Sequence, residues 1–234
     1  VKDLGDRMKT YEYVSRYYLT RRTPVIIRVD GKTFHTLLKR TEKPFDDVFL
    51  SIMQESAQFL SEEIQGFKLA YIQSDEASFL LTDYDKIDSQ GWFDYNLSKM
   101  ISISAAKMSS IFSRLSLQRE VKIEGMGLFD SRVFNIPKEE VANYFLWRAK
   151  DWQRNSLNMY ARSFFSHKQL MNKNSLDIHE MLYNIGKNWA MDIDPQLKNG
   201  SWLIKGQGWR YDILPSYKDI NKVVNPLLGL KDEE

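Results

Sequence analysis

The chain predicts an α+β fold in which a largely antiparallel sheet is covered by helices on one face. Three observations carry this expectation. Helical and strand-like periodicities follow one another as helix, strand, helix, hairpin, helix, strand, then a mainly helical final third. The apolar runs 69–72 and 77–81 are separated only by Gln73-Ser74-Asp75-Glu76. Parallel pairing would need a crossover of about a dozen residues, so these two strands form a hairpin. The 234 residues, 43% hydrophobic, contain no repeat, low-complexity tract or linker and can bury a substantial core.

Each element has its own local reason. Over 6–22, Met8, Tyr11, Val14, Tyr18 and Leu19 recur at helical spacing, and Pro24 then opens the β-branched run Val25-Ile26-Ile27-Arg28-Val29, read as a buried strand. Over 46–64 the helical pattern returns through Phe49, Ile52, Met53, Ala57, Leu60 and Ile64, with Gly66 as its stop. An amphipathic stretch without Pro or Gly predicts a helix over 92–112, and 129–134 reads as a strand closed by Pro137. Helices over 139–170 and 175–189 and a short strand over 201–205 complete the series. A boundary is expected near 137, with 1–137 as a first unit and 138–234 as a mainly helical region packed on it.

Composition limits the chemistry. There is no cysteine, which excludes disulfides and thiolate metal sites. No stretch of about 18 apolar residues is present, and 1–9 lacks an apolar signal core, so a cytoplasmic protein without a membrane partner is expected. A formal charge of +2 argues weakly against a nucleic-acid partner held by bulk charge. The charge is nevertheless segregated. Between 148 and 173 six cations, Arg148, Lys150, Arg154, Arg162, Lys168 and Lys173, face one anion, Asp151, while 75–94 holds six acids and one lysine.

Acidic residues are expensive beside apolar strands. Asp30 ends the 25–29 strand and is followed by Gly31, which admits close approach; Asp75 and Glu76 sit at the hairpin tip. If the hairpin lies beside the first strand, Asp30 and Asp75 meet at one sheet end and repel unless a cation sits between them. Hard oxygen ligands of this kind suit Mg²⁺, and the chemistry that follows is two-metal nucleotidyl transfer. The adjoining Lys32, Thr33, Phe34 and His35 could offer amides to phosphates. Taken singly, Asp-Gly and Asp-Glu pairs are equally at home in solvent-exposed turns. His167 and His179 lack ligand spacing and read as ordinary surface or core histidines, and Gly31-Lys32-Thr33 is not a P-loop because Ile26 stands where that motif needs glycine.

Arg28-Val29-Asp30-Gly31-Lys32-Thr33-Phe34-His35, Lys43-Pro44, Tyr71-Ile72-Gln73-Ser74-Asp75-Glu76-Ala77-Ser78-Phe79 and Phe129-Asp130-Ser131-Arg132-Val133 resemble, in order and spacing, the tRNA-His guanylyltransferase family and its guanylyltransferase-like relatives. The resemblance spans about 3–206. It implies a polymerase-like palm that adds nucleotides to the 5′ end of tRNA in the 3′-to-5′ direction, with ATP and GTP as substrates and two Mg²⁺ ions. Carried onto this sequence, it implies Asp30, Asp75 and Glu76 as catalytic carboxylates and Asp30, the Gly31 carbonyl, Asp75 and Glu76 as the metal-holding set. Lys32, Thr33, Phe34, His35, Lys43, Ser74 and Lys99 would bind the nucleoside triphosphate. The resemblance also suggests a homotetramer whose basic surfaces grip one tRNA, with Arg148, Lys150, Arg154, Asn155 and Lys168 among the RNA contacts.

One departure bears on the substrate. Enzymes specific for tRNA-His carry a His-x-Asn-Asn block after a Trp-Arg pair, whereas here Trp147-Arg148 is followed by Gln153-Arg154-Asn155-Ser156. This resembles the guanylyltransferase-like relatives and implies template-dependent repair of 5′-truncated tRNA. Guanosine addition to tRNA-His, a palm that only binds RNA or nucleotide, and a cyclase acting on free nucleotide remain the alternatives.

Overall fold

The computed structural model describes residues 3–230. Along the chain run α1 (Leu4–Tyr13), β1 (Val25–Gly31), α2 (Phe34–Leu37), α3 (Asp47–Glu63), β2 (Phe67–Gln73), β3 (Glu76–Leu81), α4 (Leu97–Gln118), β4 (Phe129–Asn135) and α5 (Val141–Ala161). The short α6 (His167–Leu170), α7 (Ser175–Tyr183), α8 (Trp189–Asp192) and α9 (Pro195–Asn199) follow, then β5 (Ser201–Ile204), β6 (Gly208–Arg210) and α10 (Tyr217–Leu228).

The six strands form one sheet in the order β4-β1-β3-β2-β5-β6, and every neighbouring pair is antiparallel. Helices cover both faces, not one. Val25, Ile27 and Val29 point with Ala77 and Phe79 to a core shared with Ile52, Met53 and Leu60 of α3 and Met100, Met108 and Phe112 of α4. Ile26, Tyr71, Leu80 and Trp202 face the opposite way, onto Phe145 and Ala149 of α5 and Ile220 and Val224 of α10. This explains why β1 reads as a continuous apolar run, since a strand buried on both sides has no polar face to alternate with. The last third of the chain is therefore part of the same sheet, through β5 beside β2.

Several boundaries differ from the sequence expectation, each for a local reason. The first helix ends at Tyr13 and buries no residue. The chain after it instead bonds alongside 95–97, where Leu19 N–H donates to the Tyr95 carbonyl and Leu97 N–H to the Tyr17 carbonyl. The helix expected from 92 begins only at Leu97, because Phe93, Asp94 and Tyr95 all take left-handed backbone angles and Asn96 then caps the helix through Lys99 N–H. The expected 139–170 helix breaks after Ala161, where Ser163 and Phe164 bond back as a turn. The 175–189 helix stops at Tyr183. The strand β6 and helix α10 were not anticipated, β6 being too short to show a period and α10 carrying Pro226 within its last turn.

Gly66, between α3 and β2, shows how tightly the hairpin is seated. Its φ is +81°, and a Cβ there would lie 2.1 Å from the Thr82 carbonyl oxygen, whose own N–H donates to the Gly66 carbonyl at 3.0 Å. Both the left-handed backbone and the clash penalise a side chain, so Gly66→Ala should lower stability by roughly 2–4 kcal/mol, measurable by denaturant unfolding.

Candidate active site

The antiparallel register assembles the acidic group. Asp30 at the end of β1 pairs with Glu76 of β3 on one side and with Asp130 of β4 on the other. The tip of the β2–β3 hairpin folds over this end, with Gly31 N–H donating to the Asp75 carbonyl at 3.0 Å. Asp75, half-buried beside two other acids, has its carboxyl pushed up to about 6; desolvation is the largest cause and the Asp30 and Glu76 charges add to it, outweighing hydrogen bonds from its own main chain and Ser74. Arg132 supplies a loose counter-charge, its guanidinium 3.5 Å from both Asp30 and Asp130.

Gly31 is needed for this approach. A Cβ on it would sit 2.4 Å from the Phe34 ring and 2.8 Å from Asp75 Oδ2. Phe34 is locked among Phe49, Phe112 and Phe129 and cannot yield. Gly31→Ala should therefore displace the Asp75 carboxylate and lower nucleotide addition at least about tenfold, at a stability loss of about 1–3 kcal/mol. Parallel activity and thermal-melt measurements check this; unchanged activity would show that the Asp75 position is not critical.

Glu76 has a different employment from the metal ligation expected of it. Both its carboxylate oxygens accept from Arg148, Nε to Oε1 and Nη2 to Oε2 at 2.7 Å each, and Oε1 also accepts from Gln73 at 3.2 Å. Arg148 is 8% exposed and holds Glu76, in place of the open RNA-facing position expected of it, and it lines the smaller of the two cavities at this end. Burial alone would lower the Arg148 pKa, but the hydrogen bond and charge of Glu76 outweigh it and hold it raised.

Two adjoining cavities open at the acidic end. The larger, about 630 Å³, is lined by Gly31, Thr33, Phe34, His35, Lys43 and Ser74 among others. With Asp75, seven of the expected metal or nucleotide residues thus line one cavity. Thr33 and Ser74 flank it in left-handed backbone, φ 56° and 46°, strain of about 1 kcal/mol or more each that gathers at ligand sites. Lys43 is tethered there by donating to the Leu38 carbonyl at 2.8 Å. The smaller cavity, about 400 Å³, contains Asp30, Asp75, Glu76 and Asn155. Asp75 and Arg162 line both.

Other expected residues lie elsewhere. Lys32 is exposed, and its amide is taken by the Leu128 carbonyl at 2.8 Å. Lys99 lines a separate cavity with Arg16, Tyr18 and Asn96, with none of Asp30, Asp75 and Glu76 among its walls, because the left-handed turn at 93–95 sets the start of α4 away from the sheet end. Lys150 and Lys168 are exposed on α5 and α6, and Arg154 is ion-paired with Asp151. The acids of 83–94 do not surround the site: Asp83 and Asp94 pair with Arg21 and Asp85 with Lys68, at the far end of β3. Gln153 donates to Asn199 Oδ1 at 3.1 Å.

Residues missed as site components are Gln73, Trp152, Asn158, Met159 and Arg162. The signal was present: Arg148, Trp152, Asn155, Met159 and Arg162 are spaced 4, 3, 4 and 3 apart, which puts them on one helix face. Arg132 was legible only through the register of β4 on β1.

The sequence model described as tRNAHis guanylyltransferase (Thg1) matches residues 5–137, more than half of the chain. The chain belongs to the tRNAHis guanylyltransferase family. It is a nucleotidyltransferase by that membership. Among its relatives is the tRNA(His) guanylyltransferase of Debaryomyces hansenii, 28% identical over 91% of this chain and 84% of that one. A solved bacterial tRNA(His) guanylyltransferase-like protein in complex with ATP superposes with a TM-score of 0.91 at 38% identity, covering 97% of this chain and 100% of that one. Another solved bacterial protein of that description, in complex with GTP, gives 0.83 at 36% identity over 98% and 100%. The Saccharomyces cerevisiae tRNA(His) guanylyltransferase shares the fold, with a TM-score of 0.72 at 22% identity over 85% of this chain and 93% of that one. No helix among the described residues is long and apolar enough to cross a membrane.

Proposed function

We propose that this family member is a magnesium-dependent 3′-to-5′ nucleotidyltransferase that repairs 5′-truncated tRNA, using ATP to activate the 5′-phosphate and GTP among the added nucleotides. The observation that carries the reading is that Asp75 lines both a cavity walled by Gly31, Thr33, Phe34, His35, Lys43 and Ser74 and the adjoining cavity that holds Asp30. Likeness to bacterial proteins in complex with ATP and with GTP supports the choice of substrates.

The residues fit a hard divalent cation. Asp75 is half-buried, negatively surrounded and shifted upward, a state that a cation relieves. Among the described residues no group of three or more His, Asp or Glu side chains forms a complete cage, which suits an ion that keeps water and phosphate oxygens as ligands. Asp30, Asp75 and the Gly31 carbonyl would hold it, with Glu76 as a fixed charge behind them. When bound, magnesium supplies neutralisation of phosphate charge and activation of the attacking oxygen.

Within that frame the chain binds and orients. The larger cavity, lined by Thr33, Phe34, His35 and Lys43, takes the triphosphate, with Lys43 as its cation. In the first step a 5′-phosphate oxygen of the RNA attacks the α-phosphorus of ATP and pyrophosphate leaves. In the second, the 3′-hydroxyl of the incoming nucleotide attacks the RNA 5′-phosphorus and AMP leaves. Both are in-line substitutions whose barrier is lowered by positioning and charge, so one carboxylate pair serves both. Lys150 and Lys168 are exposed on α5 and α6, and with Asn155 of the smaller cavity would contact tRNA phosphates. A homotetramer is supported by α1, whose exposed Leu4, Met8 and Tyr11 cover nothing in the protomer.

The test is incubation of labelled 5′-monophosphorylated, truncated tRNAs of several identities with ATP, GTP and Mg²⁺, followed by product sizing. Extension of several truncated tRNAs is expected. Extension of tRNA-His alone would favour the narrower guanosine-adding role that the curated relatives' names describe, and no extension with Mg²⁺ would overturn both.

A further inference from the structure

The arginines at the acidic sheet end are not equally engaged. Arg148 is clasped by Glu76 and Asp151, and Arg132 leans on Asp30 and Asp130. Arg162, which caps the C-terminus of α5, is exposed, and among the described residues its guanidinium makes no ion pair and no hydrogen bond. An unpaired arginine is ordinary on an open surface. This one lines two cavities whose walls hold Asp30, Asp75 and Glu76, and it pairs with none of them.

The two cavities have Ser74, Asp75, Met159 and Arg162 in common, and Arg162 is the only cation of the four. Its main-chain N–H is spent on the Asn158 carbonyl at 3.0 Å, and it follows Asn155 and Met159 on one helix face, so the side chain is what it has to offer there. The other cations of these walls are already engaged. Lys43 Nζ donates to the Leu38 carbonyl at 2.8 Å, and the Arg148 donors go to Glu76 and Asp151. The proposed reaction brings two anions together, a triphosphate and an RNA 5′-phosphate, which repel each other and the carboxylates. A guanidinium has five N–H donors on a rigid planar fork, enough to serve two anions from two edges.

We propose that Arg162 binds both substrates at once, contacting the RNA 5′-phosphate from the side of the smaller cavity and the nucleoside triphosphate from the side of the larger. This rests on the nucleotidyltransferase reading above and assigns to one residue the joining of its two substrates. Arg162 offsets the repulsion between the two phosphates and holds them at the shared wall beside Asp75. Its contact is with the terminal phosphate in particular, so an RNA ending in a 5′-hydroxyl does not use it.

The experiment titrates wild type, Arg162→Gln and Arg162→Lys, in Mg²⁺, with truncated tRNAs ending in a 5′-phosphate or a 5′-hydroxyl and with a non-hydrolysable ATP analogue. Extension assays and thermal melts run alongside, and the melts should be unchanged because Arg162 is exposed and unpaired. Wild type should bind the 5′-phosphorylated RNA roughly five- to tenfold more tightly than the 5′-hydroxyl RNA. In Arg162→Gln that advantage should vanish with affinity for the 5′-hydroxyl RNA unchanged, and affinity for the ATP analogue should fall roughly five- to tenfold. Arg162→Lys should keep part of both, as a point charge serves one anion better than two. A 5′-phosphate advantage that survives in Arg162→Gln overturns the proposal, as does its absence from wild type. Equal losses for both RNAs, or undiminished binding of the ATP analogue, overturn it as well. Each of these outcomes leaves the reaction standing as long as wild type extends truncated tRNA; a wild type that extends none overturns the reaction, and the proposal with it.

Discussion

Asp75→Asn abolishes nucleotide addition to 5′-truncated tRNA, with a fall of at least about a hundred- to thousandfold, while the metal-free protein becomes more stable at neutral pH. The two effects have one cause. Asp75 is held ionised at pH 7 against burial and against the charges of Asp30 and Glu76, with its carboxyl pushed up to about 6. A carboxyl whose folded pKa is raised contributes its stability in full below the unfolded value, and that contribution is lost as pH rises through about 6. The melting-temperature gain of Asp75→Asn should therefore be present at pH 7–8 in chelator and disappear near pH 4. Addition of Mg²⁺ should raise the melting temperature of wild type and leave that of Asp75→Asn nearly unchanged. Wild-type addition rates in the variant, or equal magnesium shifts in both proteins, would sink the assignment of Asp75 to the cation.

The second large effect falls on a residue that touches no substrate in the proposed scheme. Arg148→Met should destabilise the fold by about 3–5 kcal/mol, since it leaves the Glu76 carboxylate buried without its bidentate partner. It should also lower activity, because Glu76 is the cross-strand neighbour of Asp30 and would reorient. Arg148→Lys should rescue only part of either loss, as an ammonium cannot span both oxygens. The double variant Arg148→Met, Glu76→Gln should recover most of the stability but little activity. Urea melts and extension assays on the four proteins test this. A single Arg148→Met variant as stable as wild type, with only its tRNA affinity reduced, would restore Arg148 to the exposed RNA face expected from sequence.

The contrast between Arg148 and Asp30 shows what a linear reading can reach. Asp30 was legible because a carboxylate ending a β-branched run followed by glycine is locally anomalous, and Asp75 because it occupies a four-residue hairpin connection. Their meeting followed from strand pairing alone. Arg148 and Lys99 were misplaced because a cation's role depends on its partner, and the partners are 72 residues away for Arg148 and set by an unforeseen left-handed turn for Lys99. The same holds for charge. The acids of 83–94 follow Asp75 and Glu76 closely in sequence, yet β3 carries them to its opposite end, where Arg21 pairs with Asp83 and Asp94 and Lys68 with Asp85.

The sequence by itself determined the α+β class, the hairpin, the identity of the carboxylates and the glycine-led loop beside them, because each is encoded by a local pattern of period, turn length or chemical anomaly. Only the tertiary structure decided that helices close both faces of the sheet, that Glu76 is clasped by Arg148, and that the carboxylates stand between two cavities. Those facts rest on contacts between segments far apart in the chain. Their geometry is fixed by register and packing, which no single stretch of residues carries.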